Sequence, residues 1–191
     1  MAELYYKIEF FSDWHTGSGL AAGADVDLLV IKDNMGFPYI PGKTLKGLIR
    51  DAARELCEAG VVANADLEQL FGTKDAKDEG RPSMPGLLYF TNAELTKNLK
   101  EKLKDKQGVL YRKVSSTAIA EDGQAREHTL RRIEVTVPLT LFARIDNIRD
   151  GADEDILTKS MSMIKRLGSW RNRGYGRCAF SVVTPENGGT K

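Results

Sequence analysis

"RRIEVTVPLTLFARI", residues 131–145, decides how the rest of the chain is read. Ile133, Val135, Val137, Leu139, Leu141, Ala143 and Ile145 alternate with their neighbours over the whole span without a slip. A period of two places these side chains on one face of an extended backbone, so the stretch predicts the clearest strand of the protein. Pro138 has no N–H to give to a ladder, which implies an edge position or a bend in the middle of it.

Downstream, "DEDILTKSMSMIKRLG" (153–168) opens with acids and closes with Lys165 and Arg166. That is the charge order a helix dipole favours, so a helix is expected there. "GRCAFSVV" (176–183) reads as a last strand. Upstream, "VSSTAIAEDGQAREHT" (114–129) sets an Asp122-Gly123 turn between two polar arms. It predicts a projecting hairpin over 114–131, inserted into one domain that spans 1–191. "GLLYFTNAEL" (86–95) reads as a strand, and the lysine-rich 96–108 as a solvated helix or loop.

The N-terminal half opens with "LYYKIEFFS" (4–12), where Leu4, Tyr6, Ile8 and Phe10 share one face of a strand. A glycine-alanine loop (14–24) and a short strand "LLVIKD" (28–33) follow. "KTLKGLIRDAARELCEAG" (43–60) is the first helix, with Leu45, Leu48, Ile49, Ala52 and Leu56 on one stripe. Gly47 inside it is unfavourable by about 1 kcal/mol against alanine, which suggests a close backbone approach. The main elements thus run strand, helix, strand, strand, helix, strand. That order predicts an α+β, ferredoxin-like (RRM-like) fold: an antiparallel sheet with two helices on one face and the hairpin inserted.

Composition narrows the function classes. The 191 residues carry a net charge of +1, with 41% apolar and 29% charged residues, as ordinary soluble domains do. No apolar run approaches the ~20 residues that span a bilayer, and the acidic and basic N-terminus does not resemble a signal peptide. Cys57 and Cys178 stand far apart outside any CxxC pair, which fits a reducing, cytoplasmic setting. The charge is uneven, however: between Ile156 and Pro185 lie six basic residues and no acid. Within "GSWRNRGYGR" (168–177), Arg171, Arg173 and Arg177 can donate bidentate hydrogen bonds to phosphates. Gly174 and Gly176 would let backbone N–H groups approach the same anion. Trp170 fits a stacking role, but its place at a helix end reads more readily as core. Lys43, Lys46 and Arg50 sit at the start of the first helix, where anions are also welcome.

Four segments then stand in a distinctive order: "HTGSG" (15–19), "DVDLLVIKDNMGFPYIPGKTLKGLIRDAAR" (25–54), "LFGTKDA" (70–76) and "LGSWRNRGYGR" (167–177). Together they resemble the RAMP superfamily of CRISPR-associated proteins, and within it the repeated backbone subunit of type III effector complexes. The likeness covers roughly residues 4–183; "PYIPGKTLKGLIR" is close to a hallmark of that group. It implies an RNA-binding subunit of a ribonucleoprotein for antiviral defence, polymerising along a guide RNA. Its partners would be guide RNA, complementary target RNA, other effector subunits and copies of itself or similar subunits.

The same resemblance implies endoribonuclease chemistry at Asp27, the aspartate before "VIKD", with Asp25 as the near competitor. Asp27 would act as a base or hold Mg²⁺ or another divalent cation beside the scissile phosphate, the RNA supplying its 2′-hydroxyl as nucleophile. Lys43, Lys46, Arg50, Arg171, Arg173, Gly174, Gly176, Arg177 and His15 are the expected RNA contacts. Two alternatives accompany this reading. One is a purely structural RNA-binding subunit. The other is a guide-RNA-processing ribonuclease using His15 as general acid–base, as a related branch does. The hairpin lacks the "IDR" tripeptide of many relatives and keeps only its turn.

Overall fold

In the computed structural model, which describes residues 2–19, 27–62, 66–73, 84–117, 124 and 129–185, the alternating 131–145 stretch is two strands rather than one. The elements are β1 (Ala2–Phe10), α1 (Gly42–Glu58), α2 (Leu67–Phe71), β2 (Tyr89–Phe90) and α3 (Lys97–Lys102). They continue with β3 (Tyr111–Ser116), β4 (Arg131–Thr136), β5 (Thr140–Ile148), α4 (Gly151–Met163) and β6 (Cys178–Val182). β4 pairs with β3 in a two-stranded sheet, whereas β5 joins a four-stranded sheet of order β2-β5-β1-β6. Pro138 lies at the crossing, where a residue without an N–H interrupts no ladder.

The four-stranded sheet is antiparallel throughout, and its order is that of the ferredoxin-like fold. α1 and α4 pack against each other, and α4 against β6. Leu4, Tyr6, Ile8 and Phe10 of β1 are buried with Leu141, Ala143 and Ile145 of β5, as the period of two requires. The phase changes only beyond Ile145. Asn147 takes a left-handed conformation (φ 69°), a bulge that turns Ile148 inward. Trp14 ties the two sheets together. It exchanges both main-chain hydrogen bonds with Thr136 (2.9 and 2.8 Å). Its indole N–H donates to the Val137 carbonyl at 3.2 Å, and its ring stacks on Phe10 at 4.5 Å between centroids.

Several expected elements are shorter. "LLVIKD" forms isolated bridges at Leu28, Val30 and Lys32, not a regular strand, because its partners change from β4 to Gly17 to Pro38. The 86–95 strand keeps regular pairing only at Tyr89–Phe90 and continues as bridges at Ala93 and Glu94. α4 stops at Met163, so Lys165 and Arg166 lie beyond it on an extended segment. Gly47 makes no close approach, since a Cβ there would meet nothing within 4 Å. The tight position is Gly42, where a Cβ would lie 2.1 Å from the Phe90 carbonyl oxygen. The paired hairpin arms are wider than expected, running from Tyr111↔Thr136 to Ser116↔Arg131. Most of the intervening 118–128 lies outside the described residues. Among the described residues, no helix is long and apolar enough to cross a membrane.

The entry to α4 carries a pH prediction. Asp150 caps it by accepting from Ala152 N and Asp153 N at 3.0 and 3.1 Å. Asp153 is 3% exposed and takes two hydrogen bonds of 2.8 Å from the Arg149 guanidinium. Those bonds hold its carboxyl below the usual aspartate range. A lowered folded pKa stabilises the protein above pH ~4 and is lost as pH falls through the folded value. Asp153→Asn is expected to cost about 2 kcal/mol at neutral pH and to flatten the acid limb of the stability curve. Urea unfolding from pH 7 to pH 2 checks this; parallel wild-type and variant curves would refute it.

Candidate nucleic-acid interface

The arginine loop is a hairpin tip, not the helix-to-strand turn its sequence suggests. Leu167 N donates to Gly176 O at 2.8 Å and Cys178 N to Lys165 O at 2.9 Å, so 165–167 and 176–178 pair antiparallel. Residues 168–175 are left to form the tip, tightened by a 3₁₀ turn at Arg171–Arg173. Two main-chain hydrogen bonds dock it on the first loop: Ser169 N to His15 O and Gly176 N to Asp13 O, each 2.8 Å. Gly168 is required for the first, since a Cβ there would come within 2.4 Å of His15 O. Arg166 adds a hydrogen bond from its guanidinium to the Arg171 carbonyl.

His15 lies beneath this tip and is 2% exposed. Its Nδ1 is 2.7 Å from the Glu134 carbonyl oxygen. A carbonyl only accepts, so Nδ1 carries a proton and donates it to Glu134. Trp170 stacks over the imidazole at 6.5 Å between ring centroids. Trp170 is thus half-buried in the hairpin tip and outside the apolar core, contrary to the expectation for a residue at a helix end. Its left-handed backbone (φ 60°) turns the chain out of the extended segment and away from the core.

Three grooves meet at the tip. The first, of about 600 Å³, brings together His15, Gly17, Lys43, Gly47, Gly168 and Arg171. A second, of about 630 Å³, is lined by Arg131 and residues 168–173, and among the described residues it contains three arginines and no acid. The third, of about 510 Å³, sets Lys165, Arg166 and Arg171 opposite Asp51 and Glu55 of α1. Arg171 borders all three. Asp51 lines the first groove as well, so of these three only the second has no acid among its described lining residues.

The expected α1 cations divide. Lys43 is exposed in the first groove. Lys46 turns to the other flank, its Nζ 3.5 Å from the Leu88 carbonyl oxygen. Burial there, with Arg50 nearby, holds its ammonium below the usual lysine range. Arg50 is half-buried beside Lys46, its Nε 3.9 Å from Asp51. Arg171, Arg173 and Arg177 are all exposed. Gly174 stands in open space, while Gly176 is packed against Leu167.

Asp27 is pinned to β4 near the end of the paired arms that leads into the hairpin's connection. Its N–H donates to Arg132 O at 2.8 Å and its Oδ2 accepts from Arg132 N at 2.7 Å. The preceding residue, Arg131, lines the second groove, so the aspartate and the arginine tip share one neighbourhood through β4. Asp25 and His128 lie outside the described residues. Glu134 organises this edge: its main chain binds Leu28 and His15, and its carboxylate accepts from Val30 N (3.1 Å) and Lys32 Nζ (2.8 Å). Sequence reading missed Arg131 and Glu134. Glu134 sits on the polar face of an alternating strand, and Arg131 at the strand's first position in line with Ile133, so neither stands out from an ordinary surface charge in the sequence.

The profile of the RAMP superfamily matches residues 7–179. No curated protein matches the chain by sequence. Among solved structures, the fold is similar to a chain of the Type III-B Cmr-beta complex bound to cognate target RNA. That likeness has a TM-score of 0.71 at 12% identity and covers 95% of this chain and 97% of that one. A chain of the same complex in its apo state is similar with a TM-score of 0.66 at 15% identity, over 96% of this chain and 98% of that one.

Proposed function

The chain belongs to the RAMP superfamily, and from that premise we propose that it is a guide-RNA-binding backbone subunit of a type III-like CRISPR effector complex. In this reading it assembles with copies of itself or similar subunits and cleaves target RNA at Asp27. One observation carries the reading: Lys43 and Arg171 line one groove, Arg131, Arg171 and Arg173 line the next, and the Asp27 carboxylate is bound to the residue after Arg131. Cations gathered beside the Asp27 carboxylate suit a polyanion whose phosphates must be held near an acid.

RNA supplies its own nucleophile, so the protein has mainly to fix geometry and relieve charge. Asp27 does this either as the base for a 2′-hydroxyl proton or as a cation ligand. Mg²⁺ takes one or two carboxylates together with waters and substrate phosphates. Among the described residues, no three His, Cys, Asp or Glu side chains stand together. In this reading Asp27 would be the protein ligand of a cation shared with the RNA, and such a cation would supply charge relief at the phosphate. A second reading, a structural subunit that binds without cutting, is favoured by the hydrogen bond that engages Asp27 Oδ2 on Arg132 N. Guide processing by His15 has less support, because the imidazole is 2% exposed and its Nδ1 is engaged by the Glu134 carbonyl.

Salt dependence tests the RNA contact. Each phosphate contact to a single strand contributes about 0.7 to the slope of log K against log salt. Replacing Arg171 and Arg173 by alanine is expected to lower that slope by about 1.4 and to weaken binding at every salt concentration. A slope unchanged from wild type would remove the tip from the interface.

A further inference from the structure

We propose that the groove between Arg131 and the hairpin tip is a nucleotide pocket, in which an RNA base stacks on the Trp170 indole while its phosphate is held by Arg131 and Arg171. This deepens the RNA-binding reading above and rests on it. The groove is lined by Arg131, Gly168, Ser169, Trp170, Arg171, Asn172 and Arg173. Among the described residues, its one aromatic side chain is Trp170 and its charged side chains are all guanidinium groups. Its volume of about 630 Å³ is within the range of small-molecule sites.

The indole is held in a fixed orientation. His15 stacks on it (21° between planes) and Tyr175 meets it edge-on at 5.9 Å. His15 is itself anchored by Glu134, so the platform is locked from below. The Arg173 guanidinium carbon lies 5.7 Å from the ring centroid, a cation–π contact made by an exposed, flexible side chain. A stacked base holds the ring more strongly than an exposed cation–π contact does and can displace it, leaving Arg173 free to meet a phosphate. Trp170 also holds φ 60°, ψ 27°, a conformation that a large side chain rarely adopts. Strain of this kind persists where the surroundings hold a side chain in place for use. Phosphate recognition alone would need the arginines and no aromatic ring; the two together match the stacking-plus-charge pattern of single-strand binding.

The chain has two tryptophans, Trp14 and Trp170, and Trp14 is wholly buried. Fluorescence quenching by an added ligand therefore reports on Trp170. The 191-residue protein is titrated with oligouridylate and with an abasic ribose-phosphate oligomer of equal length. Both are expected to bind through phosphates, but only oligouridylate quenches the emission, and it binds about ten-fold more tightly. Trp170→Phe keeps most of this preference. Trp170→Asn, which relaxes the left-handed backbone as well as removing the ring, makes the two oligomers bind equally. Equal affinities for wild type without quenching would overturn the stacking site while leaving RNA binding intact. Failure of both oligomers to bind would overturn the RNA-binding reading and this pocket with it.

Discussion

Gly176→Ala is expected to destabilise the protein by more than about 4 kcal/mol, a loss that few single substitutions reach. Two causes act together. The residue has φ +69°, and a Cβ built on it would lie 1.9 Å from the Leu167 carbonyl oxygen and 3.0 Å from its carbon. Backbone cannot yield as a flexible side-chain tip does. Leu167 N is bound to Gly176 O, and Leu167 is 2% exposed in the core, so any shift opens both the hairpin and the packing. Gly174→Ala is the control two residues away. It shares a positive φ (+86°), but its Cβ would meet nothing within 4 Å. Only the left-handed cost of about 1–2 kcal/mol applies to it. Thermal unfolding should place the Gly176 variant about 10 °C below wild type and the Gly174 variant only a few degrees below. Equal losses for the two would show that contact with Leu167 is not what makes Gly176 necessary.

Asp27→Asn is expected to reduce target-RNA cleavage by two to four orders of magnitude in the assembled complex. Asparagine keeps a side-chain oxygen for the Arg132 N–H, now 2.7 Å from Oδ2, so the attachment to β4 should stay in place. Only the charge and the basicity are lost. RNA affinity should therefore remain within about two-fold of wild type, because the arginine tip is untouched. Asp25→Asn, made in parallel, should leave the rate near normal. Cleavage unaffected by Asp27→Asn would acquit this carboxylate. Absence of cutting by the wild-type complex, with Mg²⁺ or with EDTA, would establish the structural subunit instead.

Much of this site could be seen along the chain, but not its assembly. The "RNRGYGR" run suggested, through composition alone, a turn crowded with arginines, and the tip does present Arg171, Arg173 and Arg177 to solvent. The three α1 cations looked equivalent because helical spacing says only which residues share a side. Their separation comes from what packs on each flank: Leu88 and Arg50 beside Lys46, His15 and Gly168 beside Lys43. Trp170 was misread for a related reason. α4 ends at Met163, five residues sooner than the charge pattern suggested, which leaves the tryptophan in a hairpin rather than on a helix end.

Periodicity determined which side chains are buried. Ile133, Val135, Leu141, Ala143 and Ile145 all face inward, because alternation is a local property of an extended backbone and survives the crossing at Pro138. Tertiary structure alone decided that those residues serve two sheets, and that Asp27, Arg131, His15 and the arginine tip gather at one edge. The physical reason is that a strand's hydrogen-bond partners are not encoded in its own period. Trp14 binds Val137 across 123 positions, and Asp27 meets Arg132 across 105. Pairings at such separations are settled only by how the whole core closes.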